Sequence, residues 1–200
     1  MRIVGGELKG RALASPEGSA TRPTSDRARE AVFNILHHAS WRRGWNLHDS
    51  TVMDVFAGTG AMGIEALSRG AKHAVFIERE HAAAKTCQQN IDAFGLGPRS
   101  TLLKFDALHP IPRPLYIEPR TLIFLDPPYG KDMGAKTLTA LAAKGWLAEN
   151  AICVMEMAKK QQEPTVPGFK QHDERSYGVA LVRFLEWEGA ESADNAPKKA

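Results

Sequence analysis

Short runs of β-forming apolar residues alternate with stretches of helical spacing along most of this 200-residue chain, an alternation that predicts a parallel sheet wrapped by helices. Thr51 to Ala57 (Thr-Val-Met-Asp-Val-Phe-Ala) reads as a strand, followed directly by a glycine-rich turn, Gly58-Thr59-Gly60-Ala61-Met62-Gly63. Ile64 to Ser68 continues as a helix, which Gly70 can stop by taking a left-handed backbone. Further strands are predicted at Ala74 to Ile77, Ser100 to Phe105 and Thr121 to Leu125. The last of these, Thr-Leu-Ile-Phe-Leu, has the unbroken β-forming character of a central strand buried on both faces. Lys136 to Lys144 reads as a helix and Ala151 to Met157 as a fifth strand. Phe169 to Arg175 and Val179 to Glu186 form a hairpin closed at Tyr177-Gly178.

Ahead of the first strand, Ala28, Ala31, Val32, Ile35, Leu36 and Ala39 recur at helical spacing behind the N-cap candidates Thr24, Ser25 and Asp26. This helix is expected to lay its apolar stripe on the sheet and turn Arg27 and Arg29 outward. Arg2 to Leu13 reads as a β-hairpin or paired strands around Gly5-Gly6 and Lys9-Gly10. The expected organisation is an N-terminal basic extension over 1–45, one catalytic domain over 46–188, and a polar, small-residue tail over 189–200 that is expected to be disordered. No internal repeat is present.

Composition narrows the class. Two hundred residues suffice for one sizeable domain but not for a catalytic domain with a large specificity domain attached. Cys87 and Cys153 stand alone in a predicted helix and strand, with no CxxC spacing, which argues against a disulfide framework or zinc site. The seven histidines show no metal-ligand spacing, and the adjacent His37-His38 pair reads as a helix surface. The basic, glycine-rich start has no apolar segment for a signal peptide or membrane span, so a cytoplasmic protein is expected. Charge is uneven: through Trp45 there are eight Lys or Arg against four acids, net +4, whereas the whole chain carries +3. Such a patch suits phosphate contacts, though a solvated charged face would look the same. Trp41 and Trp45 could stack on nucleic acid or anchor the helix end.

The chemistry gathers where strands end, the edge at which parallel sheets bind ligands. Gly58-x-Gly60-x-x-Gly63 lets a ligand approach bare backbone at a helix N-terminus, and Glu78, closing the next strand, could grip ribose hydroxyls. NAD and S-adenosylmethionine satisfy this equally. The fourth strand breaks the tie, because it stops at Asp126-Pro127-Pro128-Tyr129-Gly130, for which hydride transfer has no use. An exocyclic amine on a nucleobase is a poor nucleophile because its lone pair is delocalised into the ring. The Asp126 carboxylate and the Pro127 carbonyl can accept hydrogen bonds from its two N–H groups and steer the lone pair out of plane. Proline fixes φ near −65° and leaves that carbonyl presented outward. Tyr129 can stack on the base. Asp106, after the third predicted strand, could accept from an adenine amino group.

These motifs resemble those of class I S-adenosylmethionine-dependent methyltransferases. Arg2-Ile3-Val4-Gly5-Gly6, Lys9-Gly10-Arg11, Thr21-Arg22-Pro23-Thr24 and Asp26 to Asn34 resemble the RsmD family more narrowly, over Arg2 to about Glu188. The family methylates N2 of a guanine, guanine-966, in bacterial 16S ribosomal RNA. The resemblance implies a three-layer α/β sandwich on a seven-stranded, mostly parallel sheet with one antiparallel strand. It implies S-adenosyl-L-methionine held by Asp54, Phe56, Gly58, Gly60, Glu78, Asp106 and Ala107, and catalysis by Asp126, Pro127 and Tyr129. It also implies RNA contacts from Lys9, Arg11, Arg22, Arg27 and Arg29, with the N-terminal extension covering the cofactor or clamping RNA. The partner would be 16S rRNA or a partly assembled small subunit, the enzyme a metal-free monomer. One departure is Pro110 to Arg120, where four prolines predict an irregular loop in place of a crossover helix. Other readings are a DNA adenine-N6 methyltransferase, which normally needs more mass than this chain has, and a protein glutamine methyltransferase, which more often has Asn at position 126. A non-catalytic RNA-binding protein on the same fold is the fourth.

Overall fold

The computed structural model describes residues 1–15, 26–41, 45–128, 132–159 and 164–189. Arg22, the N-cap candidates Thr24 and Ser25, Tyr129 and the predicted tail beyond Gly189 lie outside these residues. The strands are β1 (Thr51–Val55), β2 (His73–Ile77), β3 (Ser100–Leu103), β4 (Arg120–Leu125), β5 (Leu147–Ala158), β6 (Phe169–Tyr177) and β7 (Ala180–Trp187). The helices are α1 (Asp26–His38), α2 (Ala61–Ser68), α3 (His81–Ala93) and α4 (Met133–Ala143). The sheet has seven strands in the order β3-β2-β1-β4-β5-β7-β6, and β7 runs antiparallel to both of its neighbours. The chain resolves into two compact units, Met1–Phe105 and Asp106–Ala200.

In the first unit, β1, β2 and β3 pair in parallel, with Val55 opposite Ile77 and Ile77 opposite Leu103. That register levels the three carboxyl ends, so the residues after each strand emerge at one edge. β1 is buried throughout, as its β-branched and apolar residues require on both faces of a covered sheet. α2 begins at Ala61, three residues earlier than its apolar spacing predicts, and ends as expected: Gly70, at φ 101°, donates to Leu67 while Ala71 donates to Ala66. β3 stops at Leu103 rather than Phe105, leaving Asp106 beyond the strand in a turn.

The N-terminal segment pairs with itself as expected, although no long strand forms: Ile3 N–H donates to the Arg11 carbonyl (2.9 Å), Gly10 N–H to the Ile3 carbonyl (2.8 Å) and Leu13 N–H to the Met1 carbonyl (3.1 Å). One antiparallel bridge joins Arg2 to Ala12, and the loop between them lies on the C-terminal end of α2. Glu7 N–H donates to the Ser68 carbonyl (2.8 Å), Leu8 N–H to Ser68 Oγ (2.9 Å), and Ser68 Oγ to the Gly5 carbonyl (2.6 Å). A Cβ on Gly6 would stand 1.9 Å from the Ser68 carbonyl oxygen, so only glycine allows that approach. Ile3, Leu8 and Leu13 are buried beneath it.

α1 carries the largest departure from expectation. Val32, Leu36 and Ala28 are buried as its spacing predicts, but Phe33 and Arg29 are buried with them, while Ala31 and Ile35 are only half-buried. Arg29 is fully enclosed rather than facing outward. Its guanidinium donates to the Arg2 carbonyl and to Asp26 Oδ1 (2.8 Å) and lies 3.5 Å from Glu65 Oε2, itself fully buried on α2. Glu65 also accepts from Val4 N–H (2.9 Å) and Arg69 Nε (2.7 Å). A charge buried this deeply is stable only when paired and hydrogen-bonded, and each of these groups is. Arg27 is exposed, as expected.

In the second unit, β4 pairs in parallel with β5, and β7 pairs antiparallel with both β5 and β6. The segment before β4 has no helix, as its prolines predict. Instead it is tied down: Arg113 Nε donates to the Gly145 carbonyl (2.7 Å), Arg113 N–H to the Lys144 carbonyl (3.1 Å), and the buried Trp146 indole to the Ile111 carbonyl (2.8 Å). Leu115 and Tyr116 stand exposed at its tip. α4 packs on β5 through Gly134, where a Cβ would meet Met155 Sδ at 2.3 Å.

Candidate active site

The glycine turn of the first unit is built from strain, close packing and carboxylates. Phe56 leaves β1 at φ 60°, a left-handed conformation rare for a residue with a side chain, and Gly58 and Gly60 follow at 55° and 80°. The three glycines serve different ends. A Cβ on Gly60 would meet Cys87 Sγ at 2.8 Å, and one on Gly63 would meet the Phe76 ring at 2.4 Å, so both positions are closed by packing. A Cβ on Gly58 would meet nothing nearer than the Phe56 carbonyl oxygen at 3.9 Å, so this backbone faces open space. A ligand can lie against it.

Two carboxylates hold the turn. Asp54, buried inside β1, accepts from Gly63 N–H (2.8 Å) and so caps the first turn of α2 from below, where the helix dipole favours negative charge. Glu78, at the end of β2, accepts from Gly58 N–H (2.9 Å) through one oxygen and from Glu80 N–H (2.8 Å) through the other. It remains half-exposed, and an ionised carboxylate has about four acceptor positions, two of them taken by these bonds. Glu78 therefore fixes the glycine turn and retains capacity for two ligand hydroxyls.

Asn90 joins this turn to the N-terminal segment and was missed by the sequence reading. Its amide donates to the carbonyls of Thr59 (2.9 Å) and Ala14 (3.1 Å), and its oxygen accepts from Ala14 N–H (2.8 Å). The available signal was a polar residue on the buried stripe of α3 with Ala84, Cys87 and Ile91. Glu65 carried the same kind of signal, a charge between Ile64 and Ala66 in an apolar helix.

Among the predicted RNA contacts, Arg29 is enclosed in the ion cluster and cannot reach a phosphate. Arg11 donates to the Ala93 carbonyl (3.1 Å) and lies 4.6 Å from the centre of the Phe94 ring, yet stays exposed. Lys9 and Arg27 are exposed. Burial pushes the thiols of Cys87 and Cys153 far above their ordinary value, so neither is a nucleophile at neutral pH.

In the second unit, Asp106 forms an Asx turn: Oδ1 accepts from Leu108 N–H (3.1 Å) and Oδ2 lies 3.3 Å from His109 Nδ1. Ala107 is buried and can offer only its backbone to a ligand. β4 runs buried to Leu125 and then releases Asp126 into solvent, with Pro127 half-buried after it. The carboxylate and the proline carbonyl thus come directly off a rigid strand.

The strand order, the single antiparallel strand and the strand–glycine turn–helix unit define the fold of class I methyltransferases. A family model described as Conserved hypothetical protein 95 matches residues 1–186. Ribosomal RNA small subunit methyltransferase D of Escherichia coli K12 is 32% identical over 195 residues, 97% of this chain and 93% of that protein. The solved structure of the yhhF protein of Escherichia coli is also 32% identical, with a TM-score of 0.80 over 94% of this chain and 98% of its own. An RNA methyltransferase of Salinibacter ruber, solved with S-adenosyl-L-homocysteine, shares the fold at 14% identity and a TM-score of 0.62, covering 89% of this chain and 98% of its own. The chain belongs to the ribosomal RNA small subunit methyltransferase D (RsmD) family.

Proposed function

We propose that this protein transfers a methyl group from S-adenosyl-L-methionine to the exocyclic N2 of a guanine in 16S rRNA, guanine-966, acting as a monomer in the bacterial cytoplasm. The observation that carries the reading is β4, which ends by presenting Asp126 and Pro127 to solvent in a chain of this family.

The turn after β1 fits the cofactor. Gly58 offers bare backbone facing open space, and Glu78 offers a braced carboxylate with acceptor positions left for ribose hydroxyls. Asp106 would take the adenine amino group, and Ala107 would contribute backbone. Phe56 and Gly60 shape the turn, and Asp54 acts on the cofactor only through it. When bound, S-adenosyl-L-methionine supplies an electrophilic methyl group on a sulfonium.

The chain's own part is positioning and electrostatics. Asp126 and the Pro127 carbonyl accept hydrogen bonds from the two amino N–H groups and turn the N2 lone pair outward, and the proton that N2 sheds on methylation leaves from this side to the carboxylate or to water. Tyr129, assigned by the motif, stacks on the base. The guanine must be unstacked, so a loop nucleotide is an easier substrate than a duplex base.

The test is transfer from labelled S-adenosyl-L-methionine to small subunits from a strain lacking the gene, to protein-free 16S RNA and to duplex DNA. N2-methylguanosine at position 966 is the expected product. N6-methyladenine in DNA alone would replace this reading with that of a DNA enzyme. Asp126→Ala should abolish transfer while leaving cofactor affinity nearly intact; loss of cofactor binding would show that Asp126 does not act on the amine alone.

A further inference from the structure

At the end of α2 remote from the glycine turn, the first unit holds a cavity of about 330 Å³. α2 is eight residues long, or about 12 Å at 1.5 Å per residue, so this cavity is distinct from the cofactor turn. Its lining combines the half-buried Trp45 with the cationic or protonatable groups of Arg69, His37 and His48, over a floor that includes the buried Phe33. None of its lining residues is acidic.

Arg69 is held in a fixed pose. Its Nε donates to Glu65 Oε1 at 2.7 Å, and its guanidinium carbon lies 4.8 Å from the centre of the Phe33 ring. The terminal amino groups have no protein acceptor among the described residues. Two glycines make the arrangement possible: a Cβ on Gly5 would meet Arg69 Cζ at 2.4 Å, and one on Gly70 would meet His48 Nδ1 at 2.2 Å. The cavity is therefore a built feature. A guanidinium fixed in place at the cavity wall is suited to an anion of phosphate type. The Trp45 indole in the same lining suits a nucleobase, because every base presents a π-face.

We propose that this cavity is a second nucleotide-binding site: one unstacked nucleotide places its base against Trp45 and its phosphate on Arg69 and His48. The binding does not depend on the methyl-transfer reading. Only the source of the nucleotide does, the rRNA substrate or a free nucleotide, and the experiment separates the two.

Intrinsic tryptophan fluorescence would be followed while guanosine and adenosine 5′-monophosphates and a short single-stranded RNA are added, with S-adenosyl-L-homocysteine saturating. The wild type is expected to bind saturably and more weakly as salt rises. The paired substitution His37→Ala with His48→Ala, at two exposed imidazoles, should weaken binding several-fold. Trp45→Leu, monitored with a labelled nucleotide, should weaken it about tenfold. Asp126→Ala should leave it unchanged. If KM for small subunits rises in the histidine pair while kcat holds, the nucleotide is part of the RNA; if KM stays fixed while nucleotide binding falls, the ligand is a free nucleotide. No saturable binding at millimolar nucleotide, or binding indifferent to both cavity variants, overturns the proposal. So does competition by an apolar peptide but not by nucleotide, which would make the cavity a protein contact. Inactivity on every methyl acceptor with nucleotide binding intact would remove the methyl-transfer reading and leave this one standing.

Discussion

The two ends of α2 use carboxylates in opposite ways. At its N-terminal end, Asp54 and Glu78 accept backbone N–H groups and brace a turn that faces open space. At its C-terminal end, Glu65 is fully buried against Arg29 and Arg69 and fastens the N-terminal segment through Val4. One end leaves bare backbone facing open space, and the other holds the first unit together. The difference teaches that a charged residue near a motif is not thereby part of its chemistry; what its oxygens accept decides.

The largest effect is expected from Glu65→Ala, which leaves the buried Arg29 with only the part-exposed Asp26 as counter-charge and Val4 N–H without its acceptor, and should destabilise the protein by about 3–5 kcal/mol in denaturant titration. The folded fraction should still bind S-adenosyl-L-homocysteine with wild-type affinity; a selective loss of that affinity would merge the two ends of α2 into one functional site. Asp54→Ala should cost about 2 kcal/mol, because Gly63 N–H loses its acceptor, and should also weaken cofactor binding by loosening the turn. Unchanged cofactor affinity in that variant would show that the turn does not need its cap. Asn90→Ala is expected to cost about 1–2 kcal/mol. Amide hydrogen exchange should rise both at 14 and around Thr59 if Asn90 joins the two segments, whereas a rise at only one would break that link.

The smallest effect is in pH. Partial burial raises the Asp26 carboxyl, but the Arg2 backbone N–H and the Arg29 guanidinium outweigh it and hold the group below its ordinary value of 3.8. A depressed carboxyl stabilises the folded state fully above that ordinary value and loses the contribution as pH falls through the folded value. Asp26→Asn should therefore lower Tm slightly at neutral pH and progressively less as pH falls below 3.8; a loss that does not shrink with pH would assign the effect to packing.

Much of the architecture was legible because the signals are local. β-forming runs, glycine stops and Asp-Pro-Pro-Tyr depend on neighbours in sequence, and β1, β2, β4, α2 and the β6–β7 hairpin arose within a few residues of expectation. Local reading failed on Arg29, which sits beside Arg27 in a basic segment yet is enclosed by groups distant along the chain. The paired segments expected near the N-terminus do form, with Ile3 bonded to Gly10 and Arg11, but nothing local showed that their loop also bonds to Ser68.

The sequence alone therefore determined the fold class, the glycine turn and the strand that carries the candidate catalytic carboxylate. Each is written in residues adjacent in the chain, where backbone propensity and side-chain chemistry act at short range. Only the tertiary structure decided which charges are structural and which remain available, that Asn90 ties the N-terminal segment to the glycine turn, and that Arg69, Phe33, Trp45 and His48 surround one cavity. Burial and pairing arise from groups far apart in sequence, and a charged residue shows its environment only once the chain has folded around it.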